Sequence, residues 1–199
     1  MKFVGISCAV AWIASASSAE AAVTVLGPGP AALCFQAAQT GAGLAEGLKA
    51  CGEALATNLT TQDKFATFIN RGVIDYALKD QAGATRDFEA GIQLQPEKGD
   101  GYIDRGLVFA SENRFAEAEK DLSKGIELGS DHVYLAHYNR AIIEEQRGDI
   151  LAAYRDYQQA LALEPEFKLA EEQLKRFRVV DGGGSERTAP TGAPKFLFE

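Results

Sequence analysis

The sequence predicts an all-α fold built as an array of stacked helical hairpins. An Arg and an Asp sixteen residues apart occur three times, and the Arg positions are separated by 34 and then 35 residues. Small and apolar residues recur at matched offsets around each pair. A fixed period of this length is typical of repeated helical hairpins and not of one closed globule. The three pairs are Arg71 and Asp87, Arg105 and Asp121, and Arg140 and Asp156.

Counting each repeat from Phe65, Gly99 and Tyr134 gives repeats at 65–98, 99–132 and 134–167. Positions 8, 20 and 27 carry only Gly or Ala, as expected where two helices approach closely. Positions 24, 28 and 30 carry aromatic or aliphatic residues that can fill the space between hairpins. The second helix of the first and third repeats should end near Pro96 and Pro165, because proline disfavours helix continuation.

These features resemble the tetratricopeptide repeat (TPR) family over roughly Phe65 to Glu166, about half of the chain. The small residues at positions 8, 20 and 27, the large residue at position 24 and the proline at position 32 match the family pattern. Ser130 departs from it at position 32, and His137 replaces the aromatic residue of position 4. The resemblance implies a right-handed solenoid of three helical hairpins. The residues on either side of the repeats predict a degenerate N-terminal hairpin and a C-terminal capping helix in addition.

The resemblance also implies a concave groove lined by positions 2, 5, 6, 9, 12 and 13 of each first helix. We expect this groove to bind an apolar or basic peptide or helix, because its edges are acidic and it carries no Lys or Arg. A partner's C-terminal carboxylate, which some chaperone-binding TPR domains hold, would be repelled. Coverage of the groove by the protein's own termini or by a second copy is the alternative. The predicted groove residues are Ile69, Asn70, Val73, Tyr76, Ile103, Asp104, Leu107, Leu135, Tyr138, Asn139 and Ile142.

Each Arg at position 7 and Asp at position 23 would lie on facing helices of one hairpin. We predict that each pair forms a partly buried ionic clasp, because a planar guanidinium can donate two hydrogen bonds to one carboxylate. The same pair recurs in every repeat, as a structural element does and an active site does not. The role expected of the clasps is therefore to fix hairpin register.

A hairpin preceding the repeats is predicted at 30–60, broken at Gly41-Ala42-Gly43. Aligning it with the repeats places Cys34 at position 7 and Cys51 at position 24, almost where the clasp lies elsewhere. We predict a disulfide between them, since residues 1–22 resemble a secretory signal peptide and an exported protein meets oxidising conditions. A zinc or redox role is the alternative, disfavoured because the chain contains no CxxC motif.

At the other end, an amphipathic helix at 168–180 is predicted to cap the open end of the array. Residues 181–199 contain Gly, Ser, Thr and Pro and are predicted to be a disordered tail. The tail ends in Phe196-Leu197-Phe198-Glu199, which is either a docking peptide or a frayed end.

The first 22 residues resemble a secretory signal peptide, with Lys2 followed by an apolar run from Phe3 to Ala14 and then small residues. Cleavage is possible after Ala19, Ala21 or Ala22. The apolar run is shorter than the roughly 20 residues that span a bilayer, which disfavours a membrane anchor. Cleavage would also remove Cys8. The predicted location is the bacterial periplasm, with secretion as the alternative.

The formal net charge of −8 argues against nucleic acid as a partner. No HExxH, GxSxG, P-loop or GxGxxG motif occurs, and His132 and His137 are five residues apart, so they do not share a helix face. The sequence therefore predicts a non-catalytic interaction adaptor or scaffold without metal, cofactor or small-molecule substrate. A self-associating structural protein of the cell envelope, joined through the C-terminal tail, is the second hypothesis.

Overall fold

The computed structural model describes residues 29–178 and 195–196, where the chain forms a row of antiparallel helical hairpins. Four successive hairpins are followed by a short terminal helix and a two-residue strand pair. The helices are α1 (Pro30–Thr40), α2 (Leu44–Leu55), α3 (Thr61–Ala77), α4 (Gln81–Leu94), α5 (Gly99–Ser111), α6 (Phe115–Leu128), α7 (Val133–Arg147), α8 (Ile150–Leu163) and α9 (Lys168–Leu174). The strands are β1 (Phe177–Arg178) and β2 (Lys195–Phe196).

The helices form two layers. The first helices of neighbouring hairpins contact one another, α1 with α3, α3 with α5 and α5 with α7. Each second helix packs chiefly on the first helix of its own hairpin and, less extensively, on the first helix that follows it. The layer of first helices is therefore the inner, concave side of the array, as expected when hairpins stack with a small rotation from one to the next.

Polar residues mark where several helices begin. Thr60 precedes α3, and its hydroxyl oxygen accepts a hydrogen bond from the Asp63 backbone N–H. Asp80 and Asp149 precede α4 and α8, and their carboxylates likewise accept backbone N–H bonds from the first turn of the helix. Such caps satisfy backbone donors that have no partner inside the helix. The sequence therefore specifies these helix starts locally.

The N-terminal hairpin turns at two glycines. Gly41 and Gly43 have φ angles of 67° and 62°, a left-handed conformation that glycine adopts without steric cost. Past the turn, Gly47 of α2 lies so close to Ala37 of α1 that a side chain there would overlap the Ala37 methyl group. Small residues thus allow α1 and α2 to pack closely. The two helices lie within the range 30–60, where the sequence predicts a hairpin.

Within the repeats, the small residues at position 8 face the large residues at position 24. A Cβ atom at Gly72 would lie 2.6 Å from the Phe88 ring, and one at Gly106 would lie 3.0 Å from Leu122. Phe88, Leu122 and the equivalent Tyr157 are almost fully buried. The repeat pattern thus describes the interior of each hairpin, where the large side chain at position 24 fills the space beside the small residue at position 8.

The C-terminal end differs from its prediction in two respects. The helix predicted at 168–180 is α9, which ends at Leu174 and gives way to the extended residues of β1. Two residues of the tail predicted to be disordered, Lys195 and Phe196, form β2, which pairs antiparallel with β1 in the register Phe177 with Phe196 and Arg178 with Lys195. Composition does not reveal such a pair, because its backbone hydrogen bonds join residues far apart in sequence.

The predicted signal peptide at 1–22, Cys8 and most of the 181–199 tail lie outside the described residues. Among the helices that the structure does describe, none is both long enough and apolar enough to cross a membrane.

Candidate interaction surface

The predicted groove residues all lie on the inner helices α3, α5 and α7, but they divide into two groups by exposure. The first group is half-buried and reaches the surface, and the second is buried in the core. The surface group consists of Ile69, Asn70, Val73, Tyr76, Asp104 and Ile142. The buried group consists of Ile103, Leu107, Leu135, Tyr138 and Asn139.

Tyr138, which the sequence predicts to line the groove, lies in the core. Its side chain is 4% exposed, and its ring packs 5.1 Å from the Phe167 ring and 5.6 Å from the Tyr157 ring, measured between centroids. Phe167 directly precedes α9 and covers the end of the third hairpin. Position 5 of this repeat therefore faces the terminal cap and not the solvent.

Asn139 and Ile103 also serve the fold. The Asn139 side-chain amide is buried and donates a hydrogen bond to the Leu135 carbonyl oxygen one turn earlier on α7. Ile103 packs on Gly125 across its own hairpin. The free concave surface is therefore narrower than the sequence predicts, and it is concentrated on α3 and the middle of α5.

Acidic groups surround the middle of this surface. Asp100 and Asp104 lie one turn apart on α5, and burial together with the Asp100 charge raises the pKa of Asp104 to about 8. The Ser130 hydroxyl donates a hydrogen bond of 2.6 Å to Asp100, and the His132 ring lies 3.9 Å from the same carboxylate oxygen. On α7, the Arg176 guanidinium and the Tyr157 hydroxyl both donate to Glu145.

Each Arg at position 7 donates two hydrogen bonds to the Asp at position 23 of its own repeat. The distances from Nε and Nη2 are 2.5 and 2.6 Å for Arg71 on Asp87, 2.7 and 3.0 Å for Arg105 on Asp121, and 2.6 and 2.9 Å for Arg140 on Asp156. The carboxylates are buried while the guanidinium groups keep partial contact with solvent. This bidentate geometry fixes the two helices of a hairpin in one register.

The residue at position 4 decides what else supports the clasp. Phe68 and Tyr102 place their rings 5.6 and 5.9 Å from the guanidinium carbons of Arg71 and Arg105, a cation–π arrangement. In the third repeat His137 stands at this position, and its Nδ1 lies 2.9 Å from Asp156 Oδ1. His137 therefore supports its clasp through the carboxylate instead of the guanidinium.

The Arg residues also link neighbouring repeats, which sequence reasoning missed. Arg105 Nη1 lies 3.7 Å from Glu89 of the preceding repeat, and Arg140 Nη1 donates a 3.0 Å hydrogen bond to Ser123 of the repeat before it. Glu89 and Ser123 both occupy position 25. A polar residue two positions after each Asp of position 23 is the signal that could have revealed these contacts.

A second missed feature is a pair of acids at position 11, Asp75 on α3 and Glu144 on α7. Burial, followed by the charges of Asp87 and Asp80, raises the pKa of Asp75 to about 6. Burial, followed by the charge of Asp156, raises the pKa of Glu144 to about 7. Both acids lie one turn after a clasp Arg, so a period of four residues on the first helix is the signal that could have found them.

The two cysteine sulfurs lie 2.12 Å apart, with Cys34 on α1 and Cys51 on α2, and both residues are fully buried. Their surroundings are the small side chains of Ala37 and Ala38 with Ile74 of α3. Across the described part of the chain, no cluster of three or more His, Cys, Asp or Glu residues is arranged to hold a metal ion.

No protein-family model and no curated protein matches the sequence. Solved structures do match the fold. The Arabidopsis OM64 TPR domain is 24% identical, with a TM-score of 0.54 over 59% of this chain and 96% of that one. The second TPR domain of human RPAP3, in complex with the HSP70 peptide SGPTIEEVD, is 22% identical, with a TM-score of 0.53 over 58% and 96%.

The TPR protein YrrB, described as having an unusual peptide-binding site, is 17% identical, with a TM-score of 0.58 over 72% of this chain and 71% of that one. At these identities the likeness concerns the fold. The hairpin geometry and the structural matches together identify this chain as an all-α solenoid with the tetratricopeptide repeat fold.

Proposed function

We propose that this chain is a non-catalytic protein-interaction adaptor or scaffold of the bacterial cell envelope, which binds an apolar or basic peptide or helix along its concave face. The observation that carries the proposal is the surface formed by the half-buried groove residues of α3, α5 and α7. It combines apolar side chains such as Val73 and Tyr76 with an acidic middle around Asp104. A strip of this kind suits an elongated partner with apolar and basic side chains.

The structural neighbours support peptide binding as the type of interaction. The RPAP3 domain is described in complex with an HSP70 peptide, and YrrB is described as having a peptide-binding site. The HSP70 peptide ends in Glu-Glu-Val-Asp. An acidic peptide of that kind would be repelled by the acidic concave face of this chain, so we expect partners of the opposite charge.

The envelope location rests on the signal-peptide pattern at 1–22 and on the buried cysteine pair. The facing positions of Cys34 on α1 and Cys51 on α2 support a disulfide, and disulfides persist in the periplasm or outside the cell. We expect mature protein recovered from the periplasm to begin at Glu20, Ala22 or Val23. N-terminal sequencing distinguishes these sites, and uncleaved chain in the membrane fraction would contradict export by a cleaved signal.

The β1–β2 pair favours a second candidate function, a self-associating structural component of the envelope. Sixteen residues lie between β1 and β2 in the sequence. The β2 strand of a neighbouring copy could therefore pair with β1 in place of the chain's own β2. Deletion of 195–199 should then abolish a concentration-dependent increase in mass during analytical ultracentrifugation. A mass that stays monomeric at all concentrations would contradict this candidate.

Crosslinking mass spectrometry on envelope extract tests the adaptor function with a matched pair of variants. Asn70→Arg adds a positive charge to the concave surface at a half-buried position. Gln159→Arg adds the same charge to an exposed position of α8, in the outer layer. We expect one partner to crosslink near α3 and α5 in the parent and in Gln159→Arg, and to be lost in Asn70→Arg. Equal capture by both variants would overturn the proposed surface.

A further inference from the structure

Asp104 stands apart from the other polar groups of the concave surface. It occupies position 6 of α5, and the same position of the flanking inner helices carries Asn70 on α3 and Asn139 on α7. It therefore lies at the middle of the inner layer. Across the described part of the chain, no hydrogen bond or ion pair reaches the Asp104 carboxylate.

The neighbouring polar groups are already bound within the protein. Asp100 accepts a hydrogen bond from Ser130, and Glu145 accepts one from Arg176. The Asn139 amide donates to the backbone of its own helix. Asp104 is therefore the acidic side chain of this surface that is left to interact with a ligand.

The charges that face Asp104 do not compensate it. Asp100 on α5 is the charged group that acts on it, and this group repels. The adjacent Arg105 turns across the hairpin to Asp121 on α6, and the His132 ring, next to the start of α7, lies beside Asp100. A half-buried carboxylate beside a like charge gains more from an added cation than an exposed carboxylate does, because less water screens the interaction.

We propose that the concave face selects a lysine or arginine side chain of its partner segment and that Asp104 is the residue that makes this selection. The inference rests on the proposed function and names the chemistry that the partner brings to the surface. The apolar side chains on the flanking helices, such as Val73 and Ile142, can cover the methylene stem of a long cationic side chain. The cationic head then reaches the carboxylate in the middle of the surface.

Proton release accompanies this mode of binding. A bound cation favours the ionised carboxylate, so it lowers a pKa that is about 8 in the free protein. At neutral pH much of the free protein carries a proton on Asp104, and binding must displace it. Affinity for a basic segment should therefore rise with pH from about 6 to 9 and then level off, as long as the partner's own cation does not titrate.

A selection from a random twelve-residue peptide display library tests the proposal. The full chain, its Asp104→Asn variant and its Asp104→Lys variant are used as baits at pH 8, beside the control Glu97→Gln. Glu97 is an exposed acid of the α4–α5 connection, so its variant removes one negative charge away from the concave face. The peptides recovered with the parent chain are then titrated against all four proteins at pH 6 and pH 9.

We expect peptides enriched in Lys or Arg from the parent and from Glu97→Gln. Asp104→Asn should bind them at least about tenfold more weakly and without the pH dependence, since one charge-assisted contact is lost. Asp104→Lys should select acidic peptides instead. Enriched peptides without basic residues, or affinities equal in the parent and Asp104→Asn, would overturn this inference and leave the adaptor function standing. Failure of every bait to enrich any peptide would overturn both.

Discussion

The N-terminal hairpin and the repeat hairpins join nearly equivalent positions of their two helices by different chemistry. In the first hairpin, two buried sulfurs meet among small apolar side chains. In each repeat, an Arg donates two hydrogen bonds to a buried Asp beside a large side chain at position 24. The large side chains of the first hairpin that pack on this cluster, Leu44 and Leu48, are only partly buried, so it gains less from packing and depends more on its cross-link. The repeats use the ionic pair chiefly to set register.

The largest effect we expect comes from breaking the clasp of the middle repeat. Asp121→Leu leaves the partly buried Arg105 guanidinium with Glu89, at 3.7 Å, as its remaining ion-pair partner. The free energy of unfolding should fall by about 3 kcal/mol. Urea denaturation followed by circular dichroism measures this loss. Asp131 provides the control, because it is exposed and its side chain makes no hydrogen bond or ion pair within the described part of the chain. Asp131→Leu should change stability little.

A double variant tests whether the clasp adds net stability or chiefly fixes the register of the hairpin. Arg105→Leu combined with Asp121→Leu removes both charges, so no uncompensated ion remains, and it should recover most of the stability lost in the single variant. If the double variant is as unstable as the single one, the clasp contributes net stability and does not act chiefly on the register of the hairpin.

The cross-link of the first hairpin should have an effect of similar size but in a different place. Replacing Cys34 and Cys51 together by Ala should destabilise 30–55 by about 3 kcal/mol in oxidised protein, because the closed loop no longer restricts the unfolded chain. Hydrogen exchange with mass spectrometry should show faster exchange in α1 and α2 than in α5 to α8. Added reductant should reproduce this pattern in the parent and change nothing in the variant. Two free thiols in the oxidised parent would contradict the cross-link.

The repeated features of the sequence were sufficient to predict the hairpins and their interiors. Three features occur once in each repeat: the Arg and Asp pair, the small residue at position 8 and the large residue at position 24. A prediction of which residues face each other therefore has to hold in all three repeats at once. The solved TPR structures confirm the resulting fold. The clasp positions and the cysteine positions could be placed in the same way, because a period fixes which residues of two helices face each other.

The interaction surface was less predictable, because exposure depends on what lies beyond the repeat. Tyr138 occupies a groove position by its register, yet Phe167 from the terminal cap buries it. The β1–β2 pair likewise joins residues that no local pattern connects. A repeat predicts contacts within and between its copies, and it does not predict contacts with segments outside the array.

The charged repeats should also differ from the first hairpin in their response to pH. The Glu144 carboxyl has a folded pKa of about 7, above its ordinary value of 4.5, owing to burial and then to Asp156. The stability that protonation of Glu144 contributes is fully present below pH 4.5 and is lost as pH rises through about 7. Glu144→Gln should therefore be more stable than the parent at pH 8, by about 2 kcal/mol, and nearly equal to it at pH 5.

Thermal unfolding at both pH values measures this difference. A remaining slope between pH 5 and 8 is expected in the variant, because the pKa of Asp75 is raised to about 6 in the same direction. Equal stability of variant and parent at pH 8 would show that the Glu144 carboxylate is not destabilised by its surroundings.

The smallest effect concerns the contacts between repeats at position 25. Glu89→Ser makes the junction of the first two repeats resemble that of the next two, where Arg140 binds Ser123. Glu89 is largely exposed, so we expect a loss of only about 0.5 kcal/mol, which should disappear near 1 M NaCl because salt screens exposed pairs. A loss above about 2 kcal/mol that persists in salt would mean that the Arg residues hold successive repeats together as strongly as they hold each hairpin. The charged pairs would then determine the curvature of the array as well as the register of each hairpin, and the concave surface around Asp104 would depend on them directly.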